Sequence, residues 1–305
     1  MPIKAALIIV AALLAATLAV LALAYARTDT YLGRWFAWRA SDVGDAMRFP
    51  YRTVRASSTP RSLPSDSLPL LAQEVSYSWR GETRTAELAQ LLDETGSSAF
   101  LVLVDGAVVT EWYGAGYARD VPVTSFSIAK SVTGLLVLAA LEDGHLSSLD
   151  DPVTAYLPEL RAVDPGYDAI TLRHLLGMRS GVRFRDHDLP WGDKARVYYE
   201  PHLRELVMSL PVQEPAGGGF AYNSYNPVLL GLVLERATGV EPALYLERRV
   251  WAPLGAEHGA TWSTSREGET LPKMESGLNA MPIDFVKLGL ALIGQGKTKV
   301  DGIDS

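Results

Sequence analysis

The sequence predicts an α+β fold, and three observations carry that expectation. Phe100–Val104 and Ala107–Tyr113 are two β-prone apolar runs joined by Asp105-Gly106, a dipeptide suited to a tight hairpin turn. Ser127-Ile128-Ala129-Lys130 opens an apolar run that reaches Asp143-Gly144, which reads as a buried helix with its stop signal. From Asp150 to about Trp262 the pattern is helices and Pro/Gly-punctuated loops without a convincing strand.

The chain opens on an apolar segment. After Lys4, residues Ala5–Ala26 form an uncharged run of 22 residues, enough to span a bilayer as a helix. Ala24-Tyr25-Ala26 resembles a small-x-small cleavage site, but the apolar core is longer than that of a usual signal peptide. A buried helix of a soluble protein would show a polar face, and this run has none. Residues 1–27 are therefore expected to be a membrane anchor, with a cleaved signal segment as the alternative. The flanking charges (Lys4 against Arg27, Arg34 and Arg39) do not set its orientation.

Residues 28–80 are expected to form a juxtamembrane segment and linker. Trp35, Phe36, Trp38 and Tyr51 interleave with arginines, which suits a headgroup layer and equally a strap packed on the domain that follows. Ser57–Leu70, rich in Ser and Pro, is the linker candidate. The remaining residues, 81–305, are assigned to one domain with a helical lobe at about 146–264. Within it, Leu88, Leu91 and Leu92 give Thr85–Asp93 helical spacing, and Asp284–Leu292 reads as an amphipathic helix. Gly217-Gly-Gly219 follows no strand and precedes no Lys-bearing helix, so it reads as a flexible lead-in to Phe220 rather than a phosphate loop.

Composition narrows the chemistry. The 305 residues suffice for two lobes with substantial cores. A net charge of −7 with scattered basic residues gives no footprint for nucleic acid. Cysteine is absent, which excludes disulfides, thiolate metal sites and a cysteine nucleophile. His187 lies between Asp186 and Asp188 but has no second histidine at ligand spacing, and reads as part of a solvated loop.

Ser127 and Lys130 are the candidate reactive pair. Residues three apart share a helix face. A serine hydroxyl is a poor nucleophile until a neighbouring base takes its proton. A lysine amine desolvated by apolar neighbours can act as that base near neutral pH. Val132, Leu135, Leu136, Leu138 and Leu141 supply the apolar setting. The spacing alone is a weak signal, because about one Ser-x-x-Lys arises by chance in a chain of this length. An N-capping Ser125 or Ser127 beside a snorkelling Lys130 accounts for the same letters. Gly177-Met-Arg-Ser-Gly181 has the wrong spacing for a nucleophile elbow.

The stretch Thr124-Ser-Phe-Ser-Ile-Ala-Lys-Ser-Val-Thr133 resembles the nucleophile region of the serine β-lactamase and penicillin-binding-protein superfamily. Within it, the chain is most similar to class C-like esterases and 6-aminohexanoate-dimer hydrolases. Further blocks match in order: Leu149–Pro158, Ile170–Gly181, Phe220–Gly231 and the segment Ser276–Gly302. The resemblance implies an antiparallel sheet flanked by helices, with an all-helical lobe inserted and the nucleophile in the cleft between lobes. It implies a serine hydrolase acting on small-molecule esters or amides through an acyl-enzyme, located outside the cytoplasm, with no metal or organic cofactor. Ser127 would attack, Lys130 would be its base, and Tyr222 of Tyr222-Asn223-Ser224 would relay a proton to the leaving group. Asn223 and Ser224 would contact substrate. Ser224 stands where many relatives carry Asn, which puts recognition of a β-lactam side-chain amide in doubt.

The family's third element is a Lys/His-Thr/Ser-Gly strand that also gives the second oxyanion donor. Only Lys297-Thr298-Lys299 approaches it, after Ile293-Gly-Gln-Gly296. The chain is therefore expected to lack the later strands of the sheet. Loss of one oxyanion donor typically costs about 10²–10³ in rate. A catalytically impaired remnant or binding module is thus one alternative. A β-lactamase or D-Ala-D-Ala carboxypeptidase is another.

Overall fold

The Asp105-Gly106 turn and the apolar run behind Ser127 both shape local structure in a computed structural model that describes residues 2–293. Helices α1 (Pro2–Ala26) and α2 (Tyr31–Trp38) precede strand β1 (Tyr51–Val54). The hairpin β2–β3 (Glu74–Trp79, Glu82–Glu87) and helix α3 (Leu88–Glu94) follow. Next come the hairpin β4–β5 (Ala99–Val104, Ala107–Tyr113), the short β6 (Val123–Thr124) and α4 (Ile128–Glu142). The middle carries α5 (Leu160–Val163), α6 (Leu172–Leu176), α7 (Asp193–Tyr199), α8 (Leu203–Val207), α9 (Tyr225–Thr238) and α10 (Pro242–Leu246). Strands β7 (Ala260–Ser263) and β8 (Leu278–Ala280) and helix α11 (Pro282–Ile293) complete the order.

These elements form two units. The first comprises Met1–Arg52, Phe126–Pro242 and Ser263–Gly277. Its axis is α9, where every residue from Tyr225 to Leu234 is buried and which packs against α4, α6 and α8. A helix apolar on all sides belongs inside. Helix α4 buries Ala129, Val132, Thr133, Leu136, Val137 and Ala140, the i, i+3, i+4, i+7 spacing of a single face. Its other face is open, with Ile128 and Leu138 exposed. Asp143 caps it and Gly144, at φ +75°, turns the chain away as expected.

The second unit comprises Thr53–Ser125, Ala243–Trp262 and Leu278–Ser305. It holds the β-structure: a four-stranded sheet in the order β1-β7-β8-β6 and the two hairpins. Strand β8 pairs antiparallel with both neighbours, Trp262 opposite Leu278 and Val123 opposite Ala280. Asp105 and Gly106 both take positive φ (50° and 81°), the conformation of the expected tight turn.

Several sequence-based expectations need correction. Thr85–Glu87 belong to β3, and the helix begins only at Leu88. Cross-strand pairing claims those residues, with the Ser76 and Thr85 hydroxyls 3.0 Å apart. The β2–β3 hairpin itself went unread because Arg80-Gly81, with φ of 52° and 85°, makes its turn without the usual Asn-Gly or Asp-Gly signal. Strand β7 interrupts the stretch expected to lack strands. The aromatic cluster after residue 27 is a strap on the first unit: Tyr31 Oη donates to the Pro190 carbonyl (2.9 Å) and Trp35 Nε1 to that of Asp188 (3.0 Å). Ser57–Leu70 is extended chain tied along the second unit, through Ser57 N–H to Ala256 O, Arg61 N–H to Gly255 O and Asp66 N–H to Val108 O.

Pro2–Ala26 is a helix of 25 residues, with side chains described from Ile8 to Val20 and at Ala22. That stretch exposes Ile8, Ile9, Leu13, Leu14 and Leu18. Among the described residues, no helix is long and apolar enough to cross a membrane, so the expected transmembrane helix is not supported by them.

One glycine tests the loop that leads into the helical core. Gly181 sits at φ +73°, and a Cβ there would run into the Glu214 carbonyl oxygen. The Gly181 carbonyl also accepts the N–H groups of Gln213 and Glu214. Gly181→Ala is expected to lower unfolding stability by about 2 kcal/mol or more, from left-handed strain and that collision together. A urea melt shifted by less than a quarter of that would show that the loop relaxes freely.

Candidate active site

Phe126 stands at φ +43°, a left-handed backbone unusual for an aromatic residue. Directly after it the chain enters α4, with Ser127 already helical at φ −66°, ψ −8°. A capping serine has extended backbone and accepts an N–H from the first turn. Ser127 does neither: its side chain makes no cap hydrogen bond and is exposed. The capping account of the Ser-x-x-Lys letters therefore does not describe Ser127.

The Ser127 hydroxyl is instead the meeting point of two donors. Lys130 Nζ lies 3.1 Å from Ser127 Oγ, and Tyr222 Oη lies 3.0 Å from the same oxygen. Helical spacing brings the lysine, since both residues lie on the open end of α4. Its amine also donates to the Glu275 backbone carbonyl at 2.8 Å and stands 5.1 Å from the centre of the Tyr222 ring. One hydroxyl, one amine and one phenol thus share a contact in the first unit.

Tyr222 comes from a segment anchored on the loop after α6. Ala221 N–H donates to Met178 O, and the Arg179 guanidinium donates to the carbonyls of Gly217 and Gly218. Ser180 is buried and donates to Asn226 Oδ1 at 2.8 Å, which ties that loop to α9. The Gly177–Gly181 stretch, whose spacing disqualified it as a nucleophile elbow, thus has a positioning role for Tyr222. Tyr222 is itself part-exposed and borders two cavities. One, of about 360 Å³, is lined by Ser127, Lys130, Leu176, Met178 and Tyr222. The other, of about 460 Å³, includes Phe184, Asp186, Glu214 and Phe220.

Asn223 and Ser224, expected to contact substrate, both have structural surroundings of their own, and Asn223 also lines the larger of these two cavities. Asn223 is buried; its amide donates to Val182 O at 2.8 Å and accepts the Tyr225 N–H at 2.9 Å. Both ends of the side chain therefore hold the start of α9. Ser224 is also buried, at the N-terminal edge of α9. Lys297-Thr298-Lys299 lies outside the described residues.

Sequence reasoning missed the turn that faces Lys130. Lys273 O accepts the N–H groups of Ser276 and Gly277 (3.1 and 2.9 Å). The next two carbonyls face α4: Met274 O accepts Thr133 Oγ1 at 2.9 Å and Glu275 O accepts Lys130 Nζ. A Cβ on Gly277 would lie 2.9 Å from Lys273 Cβ and 3.0 Å from Ser263 Cβ, so glycine is what lets the turn close. A backbone carbonyl carries no residue-type signal. Only the glycine in Lys273-Met-Glu-Ser-Gly277 hinted at a close approach.

This arrangement has relatives. A 6-aminohexanoate-dimer hydrolase from Paenarthrobacter ureafaciens is 28% identical over 225 residues, covering 70% of this chain and 56% of that protein. A lovastatin esterase from Penicillium rubens is 31% identical over 192 residues, covering 56% and 46%. The chain thus spans about half the length of these curated relatives. A solved structure from Bacillus anthracis, assigned as a 6-aminohexanoate-dimer hydrolase, superposes with a TM-score of 0.73 at 23% identity, over 82% of this chain and 67% of that one. That likeness shows the β-lactamase/transpeptidase-like α+β fold. The family model described as Beta-lactamase matches residues 85–302, well over half of the sequence, and the chain belongs to that family.

Proposed function

We propose that this protein is a serine hydrolase that cleaves ester or amide bonds through an acyl-enzyme on Ser127. The observation that carries the reading is the shared contact of Lys130 Nζ and Tyr222 Oη with Ser127 Oγ. Membership of the family supports it, as do the names of its hydrolase and esterase relatives.

In the proposed sequence, Lys130 takes the Ser127 proton as Oγ attacks the substrate carbonyl carbon. The Ser127 backbone N–H is the first donor to the resulting oxyanion. Tyr222 protonates the leaving oxygen or nitrogen as its bond to the carbonyl carbon breaks, and Lys130 restores the phenol proton. Water then attacks the acyl group and gives up a proton to the Lys130/Tyr222 pair. Ser127 Oγ leaves and is reprotonated. Lys130 suits this cycle because the Glu275 carbonyl, a neutral acceptor, holds its amine beside Oγ.

Among substrates, esters come first. Both ends of the Asn223 amide are already engaged with backbone and Ser224 is buried, so this loop has little hydrogen-bonding capacity left for the side-chain amide of a β-lactam. For location, we propose an extracytoplasmic catalytic part held by the Pro2–Ala26 helix, supported by its 25-residue length and the apolar side chains it exposes. The corresponding check is alkaline carbonate extraction: the full chain should stay with the membrane pellet, and release into the supernatant would remove the anchor.

A fluorophosphonate probe is expected to label Ser127. Ser127→Ala should abolish labelling, and Lys130→Ala should slow it by about 10²–10⁴, the range for loss of a positioned base. Labelling that survives Ser127→Ala, or maps to Ser180, would overturn the assignment. No labelling of the unsubstituted chain would favour a non-catalytic remnant.

Substrate rank gives a second check. Short-chain nitrophenyl esters should be turned over with a kcat/KM at least about tenfold above that of a chromogenic cephalosporin, because the better leaving group asks less of the oxyanion donors. The reverse order would move the protein to the β-lactamase reading.

A further inference from the structure

Directly behind the Glu275 carbonyl lies a buried ion pair for which the acyl-transfer scheme has no use. Lys273 Nζ is 3.1 Å from Glu275 Oε1, and the two side chains are 1% and 2% exposed. The amine also donates to Tyr198 O at 2.7 Å and Val197 O at 3.3 Å, at the end of α7. It stands 4.9 Å from the centre of the Phe49 ring and 4.7 Å from that of Tyr198. Ser276 Oγ donates to Glu275 Oε1 at 2.7 Å, while Glu275 Oε2 is buried without a hydrogen-bond partner among the described residues.

Burial pushes the Lys273 amine below the ordinary lysine value, against the pull of Glu275. An apolar pair of similar volume is often as stable as a buried ion pair, or more so. Stability alone therefore gives no reason for these two charges. What they fix is a turn. Its backbone side hydrogen-bonds α4 through Met274 O and Glu275 O, and its side chains reach the end of α7 and Phe49.

We infer that Lys273 and Glu275 are positioning residues for the base: their pairing holds the Glu275 carbonyl where it orients the Lys130 amine toward Ser127 Oγ. The inference rests on the Ser127/Lys130 reading above. The pair touches neither the nucleophile nor the cavity in front of it, so it acts through Lys130. A displacement of about 1 Å in a reacting group can lower rate by about 10². A turn released from α7 loses the tie that fixes its side-chain half, and a small shift of the Glu275 carbonyl is passed to the amine it holds.

The test is a double-mutant cycle read by the rate of fluorophosphonate labelling of the full chain. Lys273→Met with Glu275→Gln removes both charges and leaves neither buried alone. In the Lys130-containing chain this pair of changes should slow labelling about 10- to 100-fold. In a Lys130→Ala background, whose residual labelling is followed with excess probe, the same changes should alter the rate less than twofold. A purely structural role predicts equal loss in both backgrounds, and that result, or no loss in the first, would overturn the inference. Ser276→Ala, which removes the hydroxyl hydrogen bond to Glu275 Oε1 and keeps the ion pair, is the second variant should the pair fail to fold, with a loss of about three- to tenfold expected only when Lys130 is present. An unsubstituted chain that does not label at Ser127 would overturn the reading of the nucleophile, and this inference with it.

Discussion

The amine of Lys130 donates to the Ser127 hydroxyl at 3.1 Å and to the Glu275 carbonyl at 2.8 Å, and that division constrains the first unit. The first partner is local, given by one turn of α4. The second comes from a segment 145 residues further along and must be brought to α4 by tertiary structure. Three features make that approach possible. Thr133 gives α4 a second hydrogen bond to the same turn. Gly277 lets the turn close on itself, and Gly231 lets it lie against α9, where a Cβ would sit 2.5 Å from Met274 Cγ. Each is a close contact, and together they leave the carbonyl little freedom.

Tyr222 reaches the same hydroxyl by a different route. Its segment has little regular structure, and the loop at 178–182 substitutes for it through Met178 O, Val182 O and the Arg179 fork. Met178 adopts positive φ within that loop, as Phe126 does beside Ser127. Unfavourable backbone conformations persist where surrounding contacts over-determine them, and they cluster at functional sites. Here they flank both Oγ and its phenol partner. The burial of Asn223 belongs to the same construction: its amide fixes the chain immediately after Tyr222 and so fixes the phenol.

What was legible in the sequence follows from this division. The Ser127/Lys130 contact needs only helical spacing, and the turn at Asp105-Gly106 needs only its own φ angles, so both could be read from neighbouring letters. Tyr222 was reachable only through family resemblance, because nothing local marks an exposed tyrosine as a partner of Ser127. The Glu275 carbonyl was not legible by either route, since any residue type supplies one. The turn at Arg80-Gly81 was hidden by an arginine holding a conformation that usually selects Asn or Asp. For Trp35 and its neighbours, the sequence left a headgroup layer and a packed strap equally open. Hydrogen bonds from Tyr31 and Trp35 to backbone carbonyls before α7 show the strap.

That strap connects to the chemistry through charge as well as packing. Arg34 of α2 is 5% exposed; its guanidinium donates to Ser265 O at 2.6 Å and stands over Trp38 and Phe49. Burial pulls it below the usual arginine value, and a desolvated cation of this kind persists only where carbonyls and aromatic faces replace its water. Phe49 supplies one of those faces, and a neighbouring approach to the same ring is made by Lys273. Asp45, also buried, accepts the Tyr198 hydroxyl at 2.6 Å and so steadies the other ring beside Lys273. Two cations on one phenylalanine repel each other, and the arrangement holds because Glu275 and Asp45 lie within the same cluster. The segment between the first helix and β1 thus acts as part of the enclosure around Lys273.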